Sequence, residues 1–138
     1  MTISLERRFR FSASHLYRRP DWSEEENRRR FGKCANLPGH GHNYRLFVTV
    51  AGEVDPVTGF VVDLGALDRL VREEVVDVLD HQHLNAAIPE FSEGGRIPSS
   101  ENVLRWIEGR LRDRLPEGVG LAKLRLEEDE DLAAEWQP

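Results

Sequence analysis

Hydrophobic and polar positions alternate along two segments of the N-terminal part of the chain. In the first segment, which begins near Ile3, one face carries Phe9, Phe11, Ala13 and His15. In the second, one face carries the even-numbered residues from His40 to Val50. Residues two apart lie on the same face of a β-strand. The pattern therefore predicts two strands, and each apolar row has histidine at one end.

Three helices are predicted from capping residues and helical spacing. Ser23 and Glu26 form a capping box before a run that ends in three arginines. Apolar residues then recur at helical spacing from Leu67 to Leu79, after the capping residue Asp63. They recur again at 103–115, where either Ser99 or Ser100 can cap the helix and Pro116 stops it.

Two further strand regions complete the prediction. The turn at 55–59 predicts an antiparallel hairpin between 48–54 and 60–64. Near the C-terminus, Ala122, Leu124, Leu126 and Glu128 share one face of a strand, and 132–136 is weakly strand-like. Apart from the short helix after Ser23 and the weak strand at 132–136, the predicted order is strand, strand, strand, helix, helix, strand, in a single α+β domain that spans residues 1–138.

Composition is consistent with one soluble domain. The 138 residues, of which 39% are hydrophobic and 32% charged, suffice to bury a core without a disulfide framework. The single cysteine forms no internal disulfide, and neither a secretory segment nor an apolar run of membrane-spanning length is present. A reducing cytoplasm is therefore the expected location, without a membrane partner.

Charge is distributed unevenly along the chain. Residues 1–50 carry ten basic and five acidic side chains, whereas residues 51–138 carry nine and twenty, for a net charge of -6. A nucleic-acid-binding protein needs basic residues gathered on one face, and an overall acidic chain makes that function a poor candidate.

Three histidines are candidate metal ligands. His40 and His42 lie on the same face of one strand, and Gly41 between them allows close approach of another group. His15, at the end of another inward-facing row, supplies a third nitrogen, and catalytic zinc sites typically use three protein ligands. The alternative is that these histidines form only a polar strand end.

Cys34, Asp80 and His81 are candidates for proton transfer. Cys34 lies in a polar loop six residues before His40, and a nearby cation would lower its pKa enough for it to act as a base. The alternative is an inert buried thiol. Asp80 can orient His81 as a proton donor, although both residues could instead interact with a helix C-terminus. His83 has no evident partner and is interpreted as structural.

Glu128 is unexpected because it continues an apolar row. Either the strand has emerged into solvent at this point, or the carboxylate accepts paired hydrogen bonds from a planar N–H group of a ligand. The sequence pattern leaves both interpretations open.

Ordered motifs over nearly the whole chain resemble the 6-pyruvoyl tetrahydropterin synthase family, which includes the bacterial 6-carboxytetrahydropterin synthases. The motifs are FSASH at 11–15, EEN at 25–27, FGKC at 31–34, GHGHNY at 39–44, DPVTG at 55–59, LDH at 79–81, LN at 84–85 and SEN at 100–102. The resemblance implies a tunnelling fold, with a four-stranded antiparallel sheet and two helices on one face. It also implies homotrimers, usually doubled to hexamers, with active sites between subunits.

The resemblance assigns roles to the matching residues. It implies that His15, His40 and His42 bind Zn²⁺ and that Cys34 is the proton-abstracting base. Asp80 and His81 would form a proton relay. Glu128 would anchor the pterin, and Ser100 and Glu101 would help to line the pocket.

The implied reaction converts 7,8-dihydroneopterin triphosphate to 6-pyruvoyl tetrahydropterin with loss of triphosphate, which basic residues should contact. The five residues between Cys34 and His40 favour this product over the 6-carboxy product of queuosine biosynthesis, which is formed with release of acetaldehyde. Two other classes remain open: a zinc-dependent hydrolase in which Cys34 is incidental, and a non-catalytic pterin-binding or structural zinc module.

Overall fold

A computed structural model describes residues 2–138 as one five-stranded sheet covered by helices. The strands are Ile3–His15 (β1), His40–Gly52 (β2), Gln82–His83 (β3), Gly120–Glu127 (β4) and Ala133–Trp136 (β5). The helices are Glu24–Phe31 (α1), Leu64–Val71 (α2), Asp77–Leu79 (α3), Leu84–Ala87 (α4) and Ser100–Leu111 (α5). A π-helical turn, Arg72–Val76, joins α2 to α3, and short 3-10 turns lie at Gly32–Ala35, Pro89–Phe91 and Arg112–Arg114.

The strand order is β3-β1-β2-β4-β5. β1 pairs with β2 in antiparallel register from Ile3 opposite Gly52 to His15 opposite His40, and the β2–β4 and β4–β5 pairs are also antiparallel. The predicted α+β class and four-stranded antiparallel sheet are confirmed. The fifth strand, β3, adds two residues parallel to β1, and a segment this short shows no alternation in the sequence.

The core lies between the helices and one face of the sheet. Leu46, Val48 and Val50 of β2 are fully buried, as are Leu67 of α2 and Ile107 of α5. The opposite face of the β1–β2 pair is mostly polar and partly or fully exposed, as the alternation predicts. Within residues 2–138, no helix has the length and apolar character required to cross a bilayer.

The predicted hairpin strand at 60–64 is wrong. Asp55 does form the turn, because its Oδ1 accepts the N–H groups of Val57 and Thr58 at 2.7 and 2.9 Å. However, β1 pairs with one edge of β2 as far as Gly52, and β4 pairs with the other edge as far as Ala51. Both edges of β2 are therefore occupied, and a further strand cannot pair with it.

The inward-facing residues of β4 also differ from the prediction. Val50 pairs with Leu121, while the adjacent Thr49 pairs with Lys123, so Ala122 is the extra residue of a β-bulge. The bulge reverses the side-chain alternation at this point, and Leu121 rather than Ala122 is buried with Leu124.

The predicted helix caps are largely confirmed. The Ser23 hydroxyl accepts the N–H of Glu26 at 3.1 Å, but the Glu26 carboxylate binds Arg29 instead of completing the capping box. At α5 the N-cap is Ser99, whose hydroxyl accepts the N–H of Asn102. The hydroxyl of the next residue, Ser100, is thereby available for another partner.

Candidate metal centre and active-site cleft

Three imidazoles meet at the end of the β1–β2 pair. His15 is the last residue of β1 and pairs directly with His40, the first residue of β2, while His42 follows two residues later on the same face. The ring centroids are 4.7 Å apart for His15 and His40, and 4.9 Å apart for each of the other two pairs. The predicted convergence of the three histidines is therefore present.

A glycine permits this approach, although it is not the one indicated by the sequence. A Cβ at Gly39 would lie 2.4 Å from the carbonyl oxygen of His15, and the φ of Gly39 is +115°. A Cβ at Gly41 would lie 3.4 Å from its nearest neighbour, the carbonyl oxygen of Ala13, which is an ordinary contact. Gly39 is thus the position at which the backbone requires glycine.

The imidazole arrangement fits a bound cation. His15 Nε2 and His40 Nε2 are 3.1 Å apart, close to the roughly 3.4 Å expected for two nitrogens about 2.1 Å from one tetrahedral zinc ion. His42 Nε2 is buried and has no hydrogen-bond partner among the described residues. A buried nitrogen without a partner is costly, and coordination of a metal ion would satisfy it.

The environment of His15 favours the neutral imidazole, which is the form that coordinates metals. The side chain is fully buried. This burial, and secondarily the proximity of His42, His40 and His83, lowers the pKa of His15 to about 3.

Tyr44 contacts the histidine cluster, whereas the sequence pattern assigned it only to the apolar row. Its hydroxyl lies 3.1 Å from His15 Nδ1, and both side chains are buried. Burial and the charge of Glu128 raise the pKa of Tyr44, so the phenol is neutral. With Nε2 of His15 turned toward His40, we assign the proton to Nδ1, which donates to the Tyr44 oxygen and fixes the tautomer. In the sequence, the only indication of this role was a hydroxyl-bearing side chain two residues after His42.

Cys34 lies at the rim of the imidazole cluster in the turn Gly32–Ala35, half-buried and 3.9 Å from His40 Nε2. Its carbonyl accepts the N–H of Tyr17 at 2.9 Å, which holds the turn against the end of β1. Burial, followed by the charge of Glu128, raises the pKa of the Cys34 thiol. Conversion to a thiolate near neutral pH therefore requires an additional positive charge nearby.

Glu128 points into the site. It is 8% exposed, its Oε1 is 3.9 Å from His15 Nδ1, and its Oε2 is 3.9 Å from His42 Nε2. The Ser100 hydroxyl donates to Oε1 at 3.4 Å. The interpretation that the strand has emerged into solvent is wrong, because the backbone turns back at this residue, whose N–H donates to the Leu132 carbonyl at 3.0 Å.

The cluster contains two overlapping sets of three possible ligands. His15, Cys34 and His40 form one set, and His15, His42 and Glu128 form the other. Both sets use His15, so the three imidazoles lie between a thiol on one side and a carboxylate on the other.

Asp80 and His81 form a tight pair beside Ser12. His81 Nδ1 is 2.9 Å from Asp80 Oδ2, and Asp80 Oδ1 accepts the Ser12 N–H at 2.8 Å. The Ser12 N–H first, and His81 second, lower the pKa of Asp80. His81 has φ of +60°, a strained value for a non-glycine residue, and its side chain is 83% exposed.

A cleft of about 730 Å³ brings the two groups together, because Asp80, His42 and Glu128 all contribute to its lining. This volume lies within the usual range for small-molecule sites. Among the other predicted residues, Glu101 is exposed and is one of the charges that raise the pKa of Tyr17. His83 lies outside the ligand sets and pairs through Nδ1 with the Ser14 hydroxyl at 2.8 Å, consistent with a structural role.

Comparison with known proteins gives consistent matches over most of the chain. The family model described as 6-pyruvoyl tetrahydropterin synthase matches residues 4–138. A 6-pyruvoyl tetrahydrobiopterin synthase from Pongo abelii is 43% identical over 125 residues, covering 91% of this chain and 84% of the relative. The corresponding protein from Homo sapiens is 42% identical with the same coverage.

A solved structure agrees with these matches. The 6-pyruvoyl tetrahydropterin synthase of Caenorhabditis elegans superposes with a TM-score of 0.90 and 33% sequence identity, covering 100% of this chain and 96% of that one. The expected tunnelling fold is confirmed.

Proposed function

This chain belongs to the 6-pyruvoyl tetrahydropterin synthase family, and on that premise we propose that it converts 7,8-dihydroneopterin triphosphate to 6-pyruvoyl tetrahydropterin. The reaction eliminates triphosphate and rearranges the side chain internally, which makes the enzyme a carbon–oxygen lyase. The observation that carries the proposal is the meeting of three imidazoles, a half-buried thiol and a buried carboxylate at one end of the sheet.

We propose that His15, His40 and His42 hold Zn²⁺. The short separation of His15 Nε2 and His40 Nε2 and the unpartnered Nε2 of His42 support this ligand set. Bound there, zinc would supply Lewis acidity toward the side-chain oxygens of the substrate without redox chemistry of its own.

Cys34 is proposed as the base that removes a proton from the substrate side chain. Its Sγ is close enough to His40 to lie beside a substrate held at the imidazoles. Because burial and Glu128 raise its pKa, the thiolate form depends on positive charge at the histidine cluster. Metal binding and base strength are thus coupled in this arrangement.

Asp80 and His81 are proposed to return the proton. The Asp80 carboxylate accepts from Nδ1 of His81 and stabilises the imidazolium form, in which the other ring nitrogen also carries a proton that it can deliver. The exposure of His81 suits a site completed by a neighbouring subunit, and we propose a homotrimer or hexamer with shared active sites.

Glu128 is proposed to anchor the pterin, with Ser100 and Glu101 beside it. A buried carboxylate can accept two parallel hydrogen bonds from a planar N–H group of the pterin ring. The Ser100 hydroxyl would orient the carboxylate through Oε1. In a Glu128→Gln variant we expect a raised KM with zinc retained. Loss of zinc from that variant would instead make Glu128 a metal ligand.

The cytoplasm is the proposed location, because a thiol that acts as a base must remain reduced.

Product analysis tests the proposed reaction. Purified zinc-loaded protein is incubated with 7,8-dihydroneopterin triphosphate, and the products are identified by mass. We expect 6-pyruvoyl tetrahydropterin and triphosphate. A 6-carboxy product with acetaldehyde would assign the queuosine-type reaction, and simple hydrolysis without side-chain rearrangement would assign a zinc-dependent hydrolase.

A further inference from the structure

The segment that follows β1, residues 16–19, is attached to other parts of the chain residue by residue. The Asn85 side chain binds both backbone groups of Leu16: its Oδ1 accepts the N–H at 2.9 Å, and its Nδ2 donates to the carbonyl at 2.8 Å. The buried side chain of Asn27 binds Arg19 in the same way, at 2.8 and 3.1 Å. The segment belongs to no helix or strand, and the two amides satisfy backbone groups that a regular element would otherwise pair.

The two residues between these attachment points hold the turn that carries Cys34. The N–H of Tyr17 donates to the Cys34 carbonyl at 2.9 Å, and Nη1 of Arg18 donates to the Ala35 carbonyl at 2.8 Å. Two consecutive residues thus bind two consecutive carbonyl groups of the turn. Because Ala35 is buried, water cannot readily replace the guanidinium as the donor to its carbonyl.

Arg18 also binds the helix that precedes this turn. Nη2 of its guanidinium donates to the carboxylate of Glu24, the first residue of α1. A guanidinium presents its N–H donors in a rigid planar fork, so its two contacts restrict each other's geometry. Arg18 therefore links the beginning of α1 to the turn that follows the end of this helix, and it holds both against the segment after β1.

The position of the Cys34 thiol depends on the backbone of this turn. Its Sγ lies 3.9 Å from His40 Nε2, a distance at which a thiol forms at most a weak hydrogen bond. That contact is too weak to fix Sγ, so the hydrogen bonds of the turn determine its distance from the imidazoles. A displacement of about 1 Å at a reacting group can lower a rate by about 10²-fold.

We propose that Arg18 is a positioning residue, which holds Cys34 at the distance from the three imidazoles that proton removal requires. The inference deepens the proposed function, because it rests on Cys34 as the base. The hydrogen-bond partners of Arg18 are Ala35 and Glu24, so it acts through the turn and not on the reacting atoms. Its loss should therefore lower kcat and leave KM and zinc content unchanged.

Steady-state kinetics of zinc-loaded Arg18→Met and Arg19→Met test the proposal. Methionine keeps an unbranched apolar stem but has no hydrogen-bond donor. Arg19 is the matched control, because it is the adjacent arginine and its Nη1 binds the Gly95 carbonyl at 3.0 Å instead of the turn. We expect kcat to fall at least about tenfold in Arg18→Met and less than about twofold in Arg19→Met. Arg18→Lys, which retains a donor without the planar fork, should recover part of the lost kcat.

Alkylation of Cys34 by iodoacetamide gives a second readout that requires no turnover. Cys34 is the single cysteine of the chain, so the mass increase reports one site. At a fixed pH, the rate should rise at least about fivefold in Arg18→Met, because release of the turn exposes the half-buried thiol. In Arg19→Met the rate should stay within about twofold of the wild type.

Thermal unfolding separates displacement of the turn from loss of the fold. The two methionine variants should unfold at similar temperatures, because each loses one hydrogen bond from a guanidinium to a carbonyl. The proposal is overturned if Arg18→Met matches Arg19→Met in kcat and alkylation rate, or if Arg18→Met loses its zinc. If the wild type forms no 6-pyruvoyl product but the alkylation rates still differ, the proposed reaction is wrong and the role of Arg18 in holding the turn is supported.

Discussion

Two groups of histidine and carboxylate side chains contribute to the same cleft, and they differ in almost every physical respect. In the first, Glu128 lies 3.9 Å from both His15 and His42, and all three side chains are at most 17% exposed. In the second, Asp80 contacts His81 at 2.9 Å, and the imidazole is 83% exposed. The buried group is loosely paired, whereas the exposed group is tightly paired.

The difference indicates that the two groups have separate functions. In the buried group, the lowered pKa of His15 keeps its imidazole neutral, and His42 Nε2 has no hydrogen-bond partner among the described residues. Both nitrogens are therefore available to coordinate a cation. An exposed imidazole held by a carboxylate is already satisfied at one nitrogen and can exchange protons through the other. We therefore expect changes in the first group to alter metal binding and changes in the second group to alter proton transfer.

Replacement of Cys34 by Ala should have the largest effect on activity, because it removes the proposed base. Metal binding should be unaffected. Because a positioned base typically contributes about 10²–10⁴-fold to rate, kcat should fall by that factor while zinc content remains unchanged. Steady-state kinetics and metal analysis of the same preparation measure both quantities. Activity close to wild type would favour the hydrolase, and loss of zinc would identify Cys34 as a permanent ligand.

Replacement of Tyr44 by Phe should lower the affinity of the buried group for zinc. The change removes the acceptor for His15 Nδ1, and loss of such a partner typically lowers metal affinity by about 10–100-fold. Competition with a chromophoric chelator measures the affinity. Tyr17→Phe is the control, because the Tyr17 ring packs at a tilt with its centroid 4.6 Å from that of His15, but no hydrogen bond joins the two side chains. Equal affinities in the two variants would contradict the assigned role of Tyr44.

Replacement of Asp80 by Asn should have the smallest effect and a characteristic pH dependence. The folded-state pKa of Asp80 lies below the value of about 3.9 typical of an unfolded chain. Its charged interactions therefore stabilise the fold fully above that value, and the stabilisation is lost as the pH falls through the folded-state pKa. The difference in free energy of unfolding between wild type and variant should shrink between pH 6 and pH 3 in urea titrations. A difference independent of pH would contradict this explanation.

The long strands and the convergence of the three histidines were predictable from sequence. Alternation placed His40 and His42 on one face and His15 at the end of another inward-facing row, whereas the register that pairs His15 with His40 is seen only in the structure. The resemblance to a known family named the same residues, and family membership is confirmed.

Features that depend on several segments at once were not predictable. The bulge at Ala122 arises from the pairing of β4 with β2. The sequence of β4 alone does not reveal it. Whether Glu128 is buried depends on Ser100 of α5 and on the returning backbone at Leu132. The strand predicted at 60–64 fails for a similar reason, because the edges of β2 were already occupied by distant residues.

Metal analysis tests most directly whether the buried group, and not the exposed one, binds zinc. Wild-type protein, His40→Ala and His81→Ala are purified without chelators and their zinc content is measured by mass spectrometry. We expect about one zinc ion per chain in the wild type and in His81→Ala, and almost none in His40→Ala. Zinc-free wild-type protein, or equal zinc content in the two variants, would contradict it.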